Sequence, residues 1–109
     1  MNDSILYKVI FINNGKVYEL YAREVFSSEI YGFIYVADLV FDQNKTIVID
    51  PAEEKLREEF INANVLHLPV QCVIRIEEVK KKMSCKIRDI KSGESLNPFT
   101  TIQNPTKPK

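Results

Sequence analysis

The most sharply punctuated stretch of the chain runs from Thr46 to Val79, TIVIDPAEEKLREEFINANVLHLPVQCVIRIEEV. The apolar run Ile47–Ile49 predicts a short strand over Thr46–Ile49. Asp50-Pro51-Ala52-Glu53 then forms a helix start. Asp50 can accept from the free N–H groups of the first turn, Pro51 suits the first helical position, and Glu53 sits where a capping box places its acid. Ala52, Leu56, Phe60 and Ala63 make one apolar stripe, with Glu53–Arg57 and Lys55–Glu59 as i,i+4 pairs on the solvent side. Asn62 or Asn64 is suited to end the helix in the left-handed region. Val65–Leu68 is apolar around the single histidine, His67, and Pro69 holds Leu68 extended. Val70–Val79 predicts a strand with Val70, Cys72, Ile74 and Ile76 on one face.

Period-two alternation is clearest near the start. ILYKVIFIN and KVYELYAREVF flank Asn14-Gly15, the dipeptide favoured in a two-residue type I′ turn because both positions need positive φ. That turn sets the pairing Asn13–Lys16, Ile12–Val17, Phe11–Tyr18, Val9–Leu20 and Tyr7–Ala22. Tyr7, Val9, Phe11, Tyr18, Leu20 and Ala22 then share one face, expected to be core, and a one-residue slip would mix it with the other. The second face carries Lys8, Glu19, Tyr21 and Arg23 among Ile10, Ile12 and Val17, and is expected to be only partly covered.

After a break at Ser27–Gly32, Phe33–Phe41 is apolar at nearly every position except Asp38, the pattern of a central strand covered on both sides. Asp42–Lys45 is a polar turn. Lys80–Ser84 is expected as an exposed turn leading into a last strand, Cys85–Ile90, so that the final two strands form a hairpin. From Ser92 onward Gly93, Pro98, Pro105 and Pro108 interrupt any period. The expected organisation is a single α+β domain over residues 1–91 and an irregular, partly disordered tail over 92–109. Strands and one helix in this order predict an antiparallel sheet of five to six strands with the helix packed on it. Two forms remain open: a curved open sheet, or a small SH3- or Sm-like barrel.

Composition narrows the function classes. A chain of 109 residues with 45% hydrophobic residues fits one soluble domain. Fifteen basic residues balance fifteen acidic ones, which argues against a surface coated in positive charge. The balance is uneven: residues 1–50 hold four Lys and Arg against seven Asp and Glu, and residues 51–109 hold eleven against eight. No apolar run is long enough for a membrane span, which takes about 20 residues. The first residues lack a basic segment and a cleavage site, so a cytoplasmic protein with free thiols is expected.

Candidate chemistry is sparse. His67 has no histidine partner and no nucleophile beside it, which favours a structural role. Cys72 reads as a buried inert thiol, and a hairpin turning near Lys81-Lys82 places Cys85 beside Glu77 and away from Cys72. Glu53, Glu54, Glu58 and Glu59 are interleaved with Lys55 and Arg57, as on a solvated helix face, and do not converge as metal ligands. No cofactor, metal or catalytic residue is expected, and the protein is read as non-enzymatic. The two surfaces with a binding character are the basic set Lys80, Lys81, Lys82, Lys86 and Arg88, suited to phosphate, and the second face of the first hairpin, Ile10, Ile12, Val17 and Tyr21, suited to a protein partner or a homodimer. Tyr21, Tyr31 and Tyr35 are aromatics able to stack on bases, with nothing in the sequence to set them beside the basic set.

Taken in order, YKVIFINNGKVYELYAR, Tyr31-Gly32-Phe33, DPAEEKLREEF, PVQCVIRIEEV and Asn97-Pro98-Phe99 resemble the bacterial family named domain of unknown function 1820. The resemblance runs from about Leu6 to Phe99. It implies a short, single-domain, cytoplasmic protein and carries over no activity, cofactor or site residue. Two functions are therefore expected in alternative: a module for protein–protein interaction, including self-association, or a small nucleic-acid-binding domain using the basic set.

Overall fold

The computed structural model describes residues 5–41 and 50–94. Its elements are β1 (Leu6–Asn13), β2 (Lys16–Ser27), β3 (Phe33–Leu39), α1 (Pro51–Phe60), β4 (Val65–Pro69), a single 3₁₀ turn (Val70–Cys72), β5 (Val73–Val79) and β6 (Lys86–Asp89). The strand expected at Thr46–Ile49, the turn before it and the tail beyond Glu94 lie outside the described residues.

β1 and β2 pair in the register set by the turn, from Asn13 opposite Lys16 to Tyr7 opposite Ala22. Asn14 and Gly15 have φ of 56° and 75°, as a type I′ turn requires. Asparagine tolerates this region through its short polar side chain, and Gly15 has no Cβ to strain. The sheet then runs β4-β3-β2-β1-β5, all antiparallel, with β6 paired to β2. At twelve residues, β2 is long enough to be shared. Lys16–Glu19 pair with β6, and Ala22–Ser27 pair with β3 on the same side. The handover lies at Tyr21, whose carbonyl accepts the Val40 N–H at 2.8 Å. Just before it, Asp38 takes φ of 59° inside β3.

Of the two forms expected, the open sheet is the one present: among the described residues β4 and β5 end the hydrogen-bonded path and the ladder does not close into a barrel. Those two end strands are nevertheless joined by only the 3₁₀ turn. Pro69 and Val73 lie within about 14 Å of each other by chain length, whereas a flat sheet would hold β4 and β5 about 19 Å apart. The two ends are therefore drawn together at this corner, where Val70 N–H also donates to Gly32 O. A register shift between Ile10 and Phe11 on the β5 side adds local bending.

Leu20, Tyr21 and Ala22 are all buried, at 1%, 2% and 0% exposure. Since successive strand residues face opposite ways, β2 is covered on both sides here. On one side lie Val9, Phe11, Tyr18 and Leu20, with Leu56 and Phe60 of the helix. By register, Val25, Val36, Ile34, Leu66 and Leu68 continue the Tyr21 side. The first set is the face expected from the hairpin. The second is a correction, because cover on both faces was not expected for β2; β3, where it was expected, is also an inner strand, with Val36 and Ala37 buried at 1% and 5% on its two faces. β3 pairs with β2 along one edge and with the end strand β4 along the other.

Helix α1 starts as expected, with the Asp50 carboxylate accepting from the N–H groups of Ala52 and Glu53. It ends earlier than expected, at Phe60, and Ile61 closes it with right-handed φ and ψ instead of an asparagine in the left-handed region. Ala63 consequently falls outside the stripe. Glu53 does not complete a capping box. Its side chain turns inward, beside Leu56, and its pairing with Arg57 is replaced by Arg57–Glu54.

Candidate functional site

The basic set expected on a last hairpin is dispersed by the topology. β5 pairs with β1 and β6 pairs with β2, so the two strands flank the first hairpin and do not pair with each other. The segment between them passes from the β1 side to the far side of β2. Lys82 is drawn in on the way: its Nζ donates to Glu53 Oε2 at 2.8 Å and to the Met83 carbonyl at 2.9 Å. The same ammonium lies 5.5 Å from the centre of the Tyr21 ring. Glu53 Oε1 accepts the Cys85 N–H at 2.8 Å. Arg88 makes a bidentate pair with Glu94, at 2.9 and 2.6 Å, and Lys16 pairs with Asp89. The Arg88 guanidinium, with a further bond from the Lys91 N–H, holds the Glu94 carboxyl down to about 2. Lys80, Lys81 and Lys86 remain exposed and have no ion pair with another described residue.

The second face of the first hairpin is likewise not the open surface expected. Val17 and Tyr21 are buried, Tyr21 under the Lys82 segment, while Ile10 and Ile12 are half-buried. The physical reason is the shared strand. β6 and the chain leading into it occupy the flank and face that the hairpin alone would leave open.

Cysteine placement differs in a related way. Cys72 is half-buried in the 3₁₀ turn, whereas Cys85 is the buried thiol, with Sγ 3.9 Å from the Val40 carbonyl. Both are free. Among the described residues no three His, Cys, Asp or Glu side chains gather as metal ligands, and no helix is long and apolar enough to cross a membrane.

A different surface emerges at the other end of β2. Phe26 pairs with Tyr35, and Tyr35 pairs with His67, so one aromatic from each of β2, β3 and β4 stands in a row across three strands. The Phe26 and Tyr35 rings are 5.6 Å apart at 41°, and Tyr35 meets His67 edge-on at 6.0 Å. Phe26 is 58% exposed and, on the adjoining loop, Ile30 is 49% and Tyr31 99% exposed. The loop is tied at its neck by Ser28 N–H to Phe33 O and Phe33 N–H to Ile30 O. Ser28 Oγ accepts the Ile30 N–H and lies 2.9 Å from His67 Nδ1, which fixes the histidine ring at the end of the row. Among the described residues, Phe26, Ser27, Glu29, Ile30, Tyr35 and His67 line a groove of 520 Å³, with one carboxylate and no lysine or arginine between them.

Neither Phe26 nor His67 was a site residue on sequence grounds. The pairings that gather the row depend on how β2 meets β3 and how β3 meets β4. Neither connection carries in its sequence a turn signal that sets the register as Asn14-Gly15 does.

The fold and this surface define a small α+β domain: one antiparallel sheet, one helix against it, and an aromatic groove at one end of the longest strand. A family model described as Domain of unknown function (DUF1820) matches residues 5–101, and the chain belongs to that family. No curated protein and no solved structure matches the chain.

Proposed function

We propose that this protein is a non-enzymatic binding module that engages a protein partner through the row Phe26–Tyr35–His67. The observation that carries this reading is the combination of exposed aromatic rings with a groove lined by Glu29 and, among the described residues, by no cation. Rings held on strands lose little freedom when a partner covers them, and aromatic side chains dominate the energetic centres of protein interfaces. The lone carboxylate disfavours a phosphate backbone and suits a polypeptide carrying basic residues. A cytoplasmic setting, which two cysteines outside any disulfide among the described residues fit, belongs to the same reading.

The nucleic-acid alternative is left with Lys80, Lys81 and Lys86, since Lys82 and Arg88 already serve carboxylates of this chain. Three lysines give a weak, steeply salt-dependent contact.

The test is photo-crosslinking from a probe placed at Tyr31, beside the row, in the full chain expressed in its native cell. The recovered protein, purified, is then titrated against isotopically labelled chain. Resonance shifts centred on Phe26, Tyr35 and His67 and lost in Phe26→Ser support the reading. Shifts centred on Lys80, Lys81 and Lys86 with added oligonucleotide, and none at the row with any recovered protein, overturn it.

A further inference from the structure

We infer that the aromatic row receives a proline–lysine segment of this sequence itself, Pro105-Thr106-Lys107-Pro108-Lys109, supplied by a second copy of the chain. This deepens the reading of the row as a protein-binding surface and rests on it.

Geometry points to this class of ligand. Phe26, Tyr35 and His67 stand on three adjacent strands, so the ends of the row are two strand spacings apart, about 9.6 Å. In a polyproline II helix residues i and i+3 lie on one face, about 9.3 Å apart. Pro105 and Pro108 have that spacing. Two prolines of such a segment can therefore sit over the two ends of the row, one at Phe26 and one at His67, with Tyr35 between them. Aromatic-lined grooves bind proline-rich segments because the ligand is already extended and loses little entropy on docking.

Charge agrees with the geometry. Glu29 lines the groove, and Glu24, two residues before Phe26 on the same strand, shares its face and is exposed. The segment offers Lys107 between its prolines and Lys109 after them.

Reach selects the second copy. Glu94 is held by Arg88, which pairs opposite Val17. Phe26 is nine residues further along β2, about 30 Å away at strand rise. The eleven residues from Glu94 to Pro105 span at most about 36–40 Å. A chain filling its own groove would have to run nearly straight along its own sheet. Exchange between two copies has no such requirement, and reciprocal exchange closes a two-fold dimer.

Sedimentation velocity from micromolar to sub-millimolar concentration tests the inference on the full chain, on a chain ending at Gln103, and on Phe26→Ala. Concentration-dependent dimerisation of the full chain is expected. It should be lost in the shortened chain and weakened roughly tenfold or more in Phe26→Ala. A synthetic Asn104–Lys109 peptide should bind the shortened chain, with shifts at Tyr35 and His67. Glu29→Lys should weaken dimerisation and Lys107→Glu should restore it in the double variant. A full chain that stays monomeric throughout, or dimerisation that survives the shortening, overturns the inference. A monomeric full chain that refuses the peptide while the shortened chain accepts it also overturns it, by showing the segment on its own groove. If the peptide binds neither chain but a crosslinked protein still needs Phe26, the tail assignment falls and the row keeps its proposed function.

Discussion

The carboxylate of Glu53 accepts the backbone N–H of Cys85 at 2.8 Å, joining the first turn of the helix to the chain entering β6. Its other oxygen takes the Lys82 ammonium, so one buried acid, 4% exposed, holds the segment that crosses Tyr21. Glu53→Ala removes both acceptors and leaves a largely buried cation and a buried N–H behind. It should destabilise the fold by about 3–5 kcal/mol. Glu53→Gln keeps one acceptor and should cost less. Urea unfolding of the two variants checks the order, and equal losses would show that the side chain acts through packing alone.

The lysine run should split when its members are replaced one at a time. Lys82→Ala strips the partner from Glu53 and the cation from above Tyr21, and should cost about 1–3 kcal/mol. Lys80→Ala, Lys81→Ala and Lys86→Ala should each stay within about 0.5 kcal/mol of the parent. Thermal or urea midpoints decide it. Similar small effects at all four positions would return Lys82 to the solvent and reopen the basic set.

What the sequence made legible follows from where local rules hold. Asn14-Gly15 fixes φ at two positions, and the whole β1–β2 register follows from it. Asp50-Pro51 does the same for the start of the helix. The partners of β2 on its other flank are a different matter. Whether Lys86 pairs with Glu19 or the strand turns back to set Cys85 beside Glu77 is decided by long-range packing, since Lys80–Ser84 reads as an adequate turn in either case. The same uncertainty hid Tyr21, which looks like an outward tyrosine until a distant segment covers it. Glu53 was misassigned for a subtler reason. Its spacing satisfies a capping box, and a buried peptide N–H 32 residues away competes for the same carboxylate. The row Phe26–Tyr35–His67 was invisible because no local turn rule sets its pairings, although each ring is plain in the sequence.

Burial on both sides of β2 and exposure at its end predict opposite responses along one strand. Leu20→Ala empties a fully enclosed site and should cost about 2–5 kcal/mol. Phe26→Ala removes a side chain more than half in water and should cost under about 1 kcal/mol. Phe26→Ala should therefore unfold close to the parent midpoint while losing partner binding. A large loss of stability at Phe26 would reassign the row to the core.

The pairing of Glu94 with Arg88 gives a pH dependence with a definite sign. The folded carboxyl sits at about 2, below its ordinary 4.5, because Arg88 donates to it first and the Lys91 N–H adds to this. A depressed carboxyl stabilises the folded state fully above its unfolded value. That contribution fades as pH falls from about 4.5 and is gone below about 2. Arg88→Ala should raise the Glu94 midpoint toward the ordinary range but not fully, since the Lys91 bond remains. Carboxyl carbon shifts followed from pH 6 to the acid limit read both values directly, on the order of one point per half unit. A Glu94 midpoint that is ordinary in the parent, or unmoved by Arg88→Ala, would show that the Arg88–Glu94 pair does not hold this end of β6 in solution.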